Sequence, residues 1–272
     1  ITPLKGMSIK ADYSWKRTTV DENQTQLIFE CWDADGTPKA SRRSPSSEFI
    51  YKANSYTEYH SANVTLSYTR QFGKHDLSGL IGYNEELNKY RFFSAKSSGV
   101  ISHSNLSIST TEGNPVIATD NLYTWVTQGY FGRFNYNYDN RYLLEFSGRY
   151  DASSKYSPDT RWSFFPSVSA GYNISQEKFW ILGKYIERLK LKASFGKLGN
   201  NSGDNYTYIP TLGINSNLPV IIGTERPKYV TIPSILSSDL TWTKPQVIGF
   251  GFEAGLFKNR LHIEYDWYQR TV

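Results

Sequence analysis

GYFGRFNYNYDNRYLLEFSGRYD, residues 129–151, is the stretch that decides the fold. It holds two runs in which apolar and polar side chains alternate, joined with almost no loop at Asp139-Asn140. A period of two is that of a β-strand with one apolar and one polar face, so the stretch predicts a tight hairpin. The apolar face would carry Tyr130, Phe134, Tyr136, Tyr138, Tyr142, Leu144, Phe146 and Tyr150. The polar face would carry Arg133, Asn135, Asn137, Arg141, Glu145, Ser147, Arg149 and Asp151.

The composition is compatible with lipid as the neighbour of that apolar face. The 272 residues are 16% aromatic and include 21 Tyr and 7 Trp, yet the mean hydropathy is only −0.52. Soluble cores are filled mainly by Leu, Ile and Val, whereas membrane barrels combine aromatic girdles with a polar lumen. The sequence has no apolar run long enough for a transmembrane helix, which leaves a β-barrel open.

The same alternation recurs before and after the hairpin. Seven further strands are predicted at Met7–Trp15, Asn63–Phe72, His75 to about Phe93, Trp162–Asn173, Leu189–Phe195, Ile248–Leu256 and Leu261–Trp267. Between them, residues 175–189 are predicted to form a short helix or a turn, with Ser175 as a possible N-cap.

The connections between these strands alternate in length. Short turns are predicted at Gly73-Lys74, Asp139-Asn140 and Lys258-Asn259, and longer loops over residues 17–58, 94–121, 152–160 and 200–240. Outer-membrane barrels have this asymmetry, with short periplasmic turns and longer extracellular loops. About nine strands would leave two unpaired edges in hydrocarbon, which is not tolerated. The prediction is therefore all-β: an antiparallel up-and-down transmembrane β-barrel segment, about nine strands of a larger closed barrel.

The sequence offers little chemistry of other kinds. The net charge of +5 comes from scattered Lys and Arg without a nucleic-acid-binding motif. His60, His75, His103 and His262 lie on separate segments without ligand spacing, so no metal site is predicted. No catalytic motif or cofactor signature is found, and the prediction is a protein that is not an enzyme and has no cofactor.

Several ordered strings in the second half of the chain resemble a known family, the SusC/RagA-type TonB-dependent outer-membrane transporters. The strings are GRFNYNY (132–138), RYLLE (141–145), DASSKY (151–156), RWSFFPSVSAGY (161–172), LKLKASFG (189–196) and FKNRL (257–261). The family usually has Asp-Gly-Ser-Ser-Arg-Phe where this chain has residues 151–156, a conservative departure. The resemblance covers roughly residues 60–95 and 122–270.

The resemblance implies an outer-membrane active transporter of glycans or peptides that is energised by TonB. It implies four partners: a SusD-like surface lipoprotein, the TonB complex acting through an N-terminal region, outer-membrane lipid, and an oligosaccharide or peptide substrate. The plug, TonB box and signal peptide find no counterpart, so residues 1–272 are expected to be part of the β-barrel domain without a plug domain. A passive porin-like barrel and, less favoured, a soluble β-rich carbohydrate-binding module are the alternatives.

Two sets of side chains are predicted to serve this function. The residues expected to face the lumen or plug are Arg133, Glu145, Arg149, Lys192, Glu264 and Asp266. Glu264 and Asp266 could mimic a carboxylate dyad, but pairing with Lys192 or with a plug residue is the favoured interpretation. The residues expected to contact substrate are Trp125, Asp151, Lys155, Tyr206 and Tyr208. Tyr138 and Tyr142 are expected near the periplasmic girdle, and Tyr150 and Trp162 near the outer one.

Overall fold

The computed structural model describes residues 4–28, 31–39, 48–112, 116–215, 219–232, 239–258 and 260–272. Within these ranges the chain forms β-strands and short 3-10 turns, and no α-helix. The long strands are β1 (Met7–Gln26), β4 (Phe49–Phe72), β5 (His75–Ser98), β6 (Ile117–Tyr138), β7 (Tyr142–Ser153), β8 (Trp162–Asn173), β9 (Ile186–Lys197), β12 (Gln246–Leu256) and β13 (Leu261–Thr271). The short strands are β2 (Cys31–Trp32), β3 (Pro38–Lys39), β10 (Gly213–Asn215) and β11 (Tyr229–Thr231).

The long strands form one nine-stranded antiparallel sheet in the order β1-β4-β5-β6-β7-β8-β9-β12-β13. Each long strand therefore pairs with the next long strand along the chain, which is the up-and-down order that the sequence predicts. The short strands form two separate ribbons, β2 with β3 and β10 with β11. Within the described part of the chain β1 and β13 are the sheet's outer strands and do not pair with each other. The prediction of about nine strands from a larger barrel is confirmed.

The chain divides into two compact units. One comprises Ile1–Tyr13, Ser61–Glu86 and Trp125–Val272, and the other comprises Ser14–His60 and Leu87–Thr124. The second unit contains β2, β3 and parts of the long strands β1, β4, β5 and β6, which have 20 to 24 residues. The strands β7 to β9, β12 and β13 have 11 or 12 residues.

A buried carboxylate links three segments of the second unit. Glu48 accepts a hydrogen bond from the backbone N–H of Ile28 at 2.7 Å, and Nε2 of His103 lies 3.1 Å from the same Glu48 oxygen. The Glu48 carbonyl also accepts from the backbone N–H of Gly99. These contacts join three segments that are far apart in sequence, next to the fully buried Ile50.

Two of the predicted loops are shorter than expected. The prediction of a loop over residues 17–58 was wrong over much of its length, because β1 continues to Gln26 and β4 begins at Phe49. The loop predicted over 94–121 shrinks to residues 99–116. The outer part of β1, residues 16–26, has Val20 as its one apolar residue, so no alternation of polar and apolar residues marks it as a strand.

The segment predicted as a short helix or turn is a turn. Residues 175–189 contain parts of two 3-10 turns, Ile174–Gln176 and Leu182–Lys184, and β9 already begins at Ile186. The last residues of the segment, from Ile186 onwards, pair with β12 as part of β9, so they cannot continue a helix. The indole of Trp180 closes the connection by donating to the carbonyl of Ile186 at 2.9 Å.

The short turns lie where the sequence places them. Gly73 has a φ of +57°, and Asp139 and Asn140 both have a φ of +54°, the left-handed conformation that a two-residue hairpin turn requires and that Gly, Asn and Asp adopt most readily. In the third predicted turn Lys258 has a φ of +63°. Asn259 lies outside the described residues, as do residues 29–30, 40–47, 113–115, 216–218 and 233–238 of the predicted loops.

Charged side chains tie the short connections to one another. The carboxylate of Asp139 accepts from Nζ of Lys74 at 2.9 Å and from the Arg141 guanidinium at 2.6 Å. Arg141 also donates to Glu177 at 3.1 Å. Hydrogen bonds from Lys74 and Arg141 lower the pKa of Asp139 below its usual 3.8. The hydroxyl of Tyr142 and the Arg141 guanidinium likewise lower the pKa of Glu177 below 4.5. Three connections thus share one cluster of charges.

We expect this cluster to persist at neutral pH and to open only in acid. Because the folded pKa values of Asp139 and Glu177 lie below the unfolded values of 3.8 and 4.5, the stabilisation is complete above those values and is lost as the pH falls through the folded ones. Hydrogen exchange of the amides at residues 139–141, followed from pH 7 to pH 3 in the full-length protein, measures the opening. In Asp139→Asn the acid-dependent step should be diminished, and an unchanged step would contradict the assignment.

Candidate functional site

The polar face of the sheet is built from rows of small and polar residues. Paired residues of antiparallel strands project to the same face, so the register fixes which side chains are neighbours. Two adjacent rows are Asn135, Glu145, Ser169, Ser194 and Gly249, and Arg133, Ser147, Ser167, Gly196 and Val247. A concave region of about 620 Å³ is lined by Glu145, Lys192 and Asp266 among others. Three of the residues predicted to face the lumen therefore border one cavity.

The opposite face is apolar and carries two aromatic bands. Near the short turns, the ring of Tyr142 lies 6.2 Å from that of Tyr138 and 5.1 Å from that of Tyr172, measured between centroids. Towards the other ends of the strands, the ring of Trp162 lies 4.7 Å from that of Tyr150 and 6.3 Å from that of Tyr130. Each band is thus a continuous stack of rings across neighbouring strands.

The separation of the two bands fits a bilayer. Tyr142 and Tyr150 are eight residues apart on β7, which is about 27 Å along a strand that rises about 3.4 Å per residue. A strand tilted by about 40° would place them about 20 Å apart along the membrane normal, close to the apolar band of about 25 Å in outer-membrane barrels. Between them Phe134 and Phe146 are exposed, as a face that meets hydrocarbon would be.

An ion-pair cluster crosses three strands on the polar face. Nζ of Lys192 on β9 lies 2.7 Å from Oε1 of Glu264 and 3.1 Å from Oδ1 of Asp266, both on β13. It also lies 3.4 Å from Glu253 on the intervening β12. Mutual pairing accounts for both carboxylates on β13 without assigning them a catalytic role.

Glycine makes this crossing possible. Gly251 lies between Lys192 and Asp266 in the register, so no side chain separates the two charges. A Cβ added there would lie 2.1 Å from Oδ1 of Asp266 and 2.6 Å from the backbone oxygen of Tyr265. The ammonium group can therefore reach over β12, and substitution of this glycine would force the carboxylate to move.

The remaining predicted wall charges are also paired. Nε of Arg133 lies 3.7 Å from Oε1 of Glu145 on the neighbouring strand. The Arg149 guanidinium donates two hydrogen bonds, of 3.1 and 3.0 Å, to the carboxylate of Asp151, which lies two residues further along the same strand. The Asp151 carboxylate lies over Gly129, where an added Cβ would clash with it. The Asp151 carboxylate is thus held on the sheet by Arg149 and by the space that Gly129 leaves.

Trp125 and Lys155 form the most compact part of the predicted substrate-binding set. Nζ of Lys155 lies 5.9 Å from the centroid of the Trp125 ring and 3.5 Å from the backbone oxygen of Asn201. The hydroxyl of Ser153 donates to the side-chain oxygen of Asn201 at 3.2 Å. An indole face, an ammonium and an amide are brought together from three segments of the chain.

A small core beneath this group fixes the loops. Tyr156, Phe165 and Trp242 are buried together, and the Phe165 ring occupies the space above Gly199. The Trp242 indole donates to the backbone oxygen of Arg161 at 2.8 Å. Burial raises the pKa of the Tyr156 hydroxyl. The loop after β7 and both ends of the β9–β12 connection are therefore held in one arrangement.

Sequence reasoning missed Asn201 and Trp242. Asn201 contacts Lys155 and Ser153, which lie 46 and 48 positions away, and Trp242 contacts Arg161, which lies 81 positions away. No local sequence pattern can identify such contacts. Tyr206 and Tyr208 lie further along the same connection, on a turn where Tyr206 has a φ of +63° and its carbonyl accepts from Ile209.

The described residues contain no group of three or more His, Cys, Asp or Glu side chains arranged to hold a metal ion. His75 contacts the hydroxyl of Tyr136, and His103 contacts Glu48. Among the described segments there is also no helix of the length and apolar character needed to cross a membrane.

Comparison with known proteins gives consistent matches. The family model described as TonB dependent receptor-like, beta-barrel matches residues 5–272. The chain is 32% identical over 222 residues to TonB-dependent receptor P3 of Formosa agariphila, covering 78% of this chain and 21% of that protein. It is 33% identical over 144 residues to TonB-dependent receptor SusC of Bacteroides thetaiotaomicron, covering 53% and 14% of the two chains.

Two solved structures are similar to this chain over nearly its whole length. The RagAB peptide transporter superposes with a TM-score of 0.84 at 26% identity, over 99% of this chain and 28% of that one. The RagAB peptide importer in its closed-closed state gives a TM-score of 0.80 with the same coverage. The resemblance inferred from the ordered sequence strings is confirmed, and the chain spans about a fifth of the length of the curated receptor P3.

We predict that Gly251→Ala destabilises the protein by about 1 to 3 kcal/mol, the usual effect of overpacking, because the new methyl group displaces Asp266. Gly79→Ala is the matched control, since a Cβ there has its nearest neighbour at 4.0 Å. Denaturant unfolding of the two full-length variants measures the difference. Equal stability of both variants would contradict the close approach at Gly251.

Proposed function

The chain belongs to the TonB-dependent receptor-like β-barrel family, and from this we propose that it is the barrel part of an outer-membrane active transporter of glycans or peptides. TonB supplies the energy. The observation that supports the proposal most strongly is the match over residues 5–272 together with a sheet that has one aromatic, exposed face and one polar face. Proteins of this family are located in the outer membrane.

In this proposal the sheet is a rigid wall between lipid and the transport path. Arg133, Glu145, Arg149, Lys192, Glu264 and Asp266 face the lumen or plug. All six are paired with charged residues of the same sheet, so these six charges are compensated where they would face a moving plug or solute. Serine and glycine in the neighbouring rows keep side chains short, which leaves room in the lumen.

Substrate contact is assigned to the loops. The indole of Trp125 offers a flat face for a sugar ring or an apolar side chain, and Lys155 and Asn201 add polar groups beside it. Asp151, Tyr206 and Tyr208 complete the proposed set. Both oligosaccharides and peptides present the combination of flat apolar surface and hydrogen-bonding groups that such a site recognises.

The proposed partners follow from the family. A SusD-like lipoprotein would meet the protein at the cell surface, on the side of the long connections. The TonB complex would act through an N-terminal region of the receptor. Family membership argues against the two alternatives, a passive porin-like barrel and a soluble carbohydrate-binding module, because a TonB-dependent receptor is neither.

Uptake of fluorescently labelled oligosaccharides and oligopeptides by cells that carry the full-length protein tests the proposal. We expect one of the two classes to enter in a TonB-dependent manner, and uptake that persists in a tonB-deficient strain, or no uptake of either class, would contradict it.

At the binding step, Trp125→Ala and Lys155→Ala should each weaken affinity by about tenfold, equivalent to about 1.4 kcal/mol. Phe146→Ala, on the apolar face, is the control and should leave affinity unchanged.

A further inference from the structure

The polar face has a second concave region, of about 560 Å³, next to the one bordered by Lys192 and Asp266. Its lining includes Arg133, Ser147 and Ser167, which the register places side by side in one row on β6, β7 and β8. A concave region of this size is within the usual range of small-molecule sites. It is called the Arg133 pocket below.

The guanidinium of Arg133 has hydrogen-bond donors to spare. Its Nε lies 3.7 Å from the carboxylate of Glu145 in the neighbouring row, a distance that compensates charge but is too long for a hydrogen bond. Within the described part of the chain no group accepts a hydrogen bond from Arg133, whose side chain is 58% exposed. A guanidinium stays charged and carries its N–H donors in a planar fork. The fork is therefore open to an acceptor from outside the sheet.

Two serine hydroxyls stand in the same row as this guanidinium. Ser147 lies directly opposite Arg133, and Ser167 lies opposite Ser147 on the next strand, at the spacing of about 5 Å that separates cross-strand neighbours. Among the residues that the structure describes, neither hydroxyl has a hydrogen-bond partner. Each hydroxyl can donate a hydrogen bond, and the row contains no carboxylate to accept it.

The acidic residue of the pocket does not use these donors. Asp151 is the one carboxylate among the described lining residues, and Arg149 holds it with hydrogen bonds of 3.1 and 3.0 Å. The Asp151 side chain is only 15% exposed, against 58% for that of Arg133. An incoming anion therefore meets the Arg133 guanidinium more readily than the Asp151 carboxylate.

The position of the pocket favours the transported solute as the source of the anion. On β7, Ser147 is three residues, or about 10 Å, from Tyr150, which belongs to the aromatic band farther from the short turns. Gly199 at the start of the β9–β12 connection lines the pocket, and Asn201, two residues later, contacts Lys155. The pocket is thus continuous with the segments that carry the proposed substrate-binding residues.

We propose that the Arg133 pocket binds one carboxylate group of the transported solute. The inference rests on the proposed function, because it requires a solute that passes along the polar face. A guanidinium matches a carboxylate with two parallel hydrogen bonds, and such charge-assisted bonds are about twice as strong as neutral ones. Ser147 and Ser167 supply further donors. A uronic acid of an oligosaccharide and the C-terminus of a peptide both present this group.

Affinity capture by the purified full-length protein measures the preference for a carboxylate. One pair of probes is a mixture of oligopeptides without acidic side chains, as free acids and as C-terminal amides. The other pair is a mixture of uronic-acid oligosaccharides, as free acids and as methyl esters. Mass spectrometry quantifies the retained molecules. In the class that binds, the acid form should be retained about tenfold more tightly than its neutral counterpart, and that class identifies the source of the carboxylate.

Substitutions of Arg133 assign the preference to the pocket. Arg133→Gln should abolish it, whereas Arg133→Lys should keep part of it, because an ammonium retains the charge but lacks the planar fork. Arg70→Gln is the matched control and should leave the preference intact, since Arg70 contacts the Phe72 ring on β4 and does not line the pocket. Heat-dependent gel mobility shows that each variant folds.

The outcomes separate this inference from the proposed function. Equal retention of acid and neutral forms, or a preference that survives Arg133→Gln, overturns the carboxylate site and leaves the proposed function standing. Retention of neither class in any form overturns both. If Arg133→Gln speeds proteolysis of the plug without changing the preference, a carboxylate of the plug occupies the pocket, and the assignment to the solute is wrong.

Discussion

Backbone hydrogen bonding in hydrocarbon is the constraint on which the rest of this structure depends. A strand surrounded by lipid must satisfy every N–H and C=O through its neighbours, and the up-and-down order provides a partner for each strand from the next long strand of the same chain. The short turns follow from that order, since consecutive antiparallel strands can be joined by two residues. Among the strands that the structure describes, none pairs with the outer edges of β1 and β13, and in a membrane these edges require further strands.

The same constraint shapes the polar face. A wall whose strands are fixed by backbone pairing has rows of side chains at set distances, so charges can be neutralised within the wall. Lys192 reaches two carboxylates on the strand beyond its neighbour only because Gly251 leaves the intervening position empty. Gly129 does the same for Asp151. Glycine in these strands therefore serves the arrangement of charges, at some cost in strand propensity.

The sequence predicts the wall better than it predicts the site. Strict alternation around Asp139 and Asn140 gives two strands, the hairpin turn and the two faces, because a half-buried strand imposes a period of two. The outer part of β1 could not be predicted because residues 16–26 are polar except for Val20 and show no period of two.

The geometry of the proposed substrate-binding site could not be predicted, for a different reason. Its geometry depends on contacts such as Trp242 with Arg161, Lys155 with Asn201 and Thr160 with Leu240, which join residues 46 to 81 positions apart. Trp125 and Lys155 could be named as candidates from residue type alone, whereas Asn201 carries no signal until the connection between β9 and β12 is folded.

The central claim is that the aromatic face meets lipid and the polar face does not. Nitroxide scanning of β7 tests it most directly: single cysteines at residues 143–148 are spin-labelled in the full-length protein, with Cys31 replaced by serine, and reconstituted in bilayers. The account predicts a period of two, in which Leu144, Phe146 and Gly148 are accessible to oxygen and shielded from a water-soluble nickel chelate, and Leu143, Glu145 and Ser147 are not oxygen-accessible. Loss of the period, or access of the nickel chelate to the positions on the aromatic face, would contradict it.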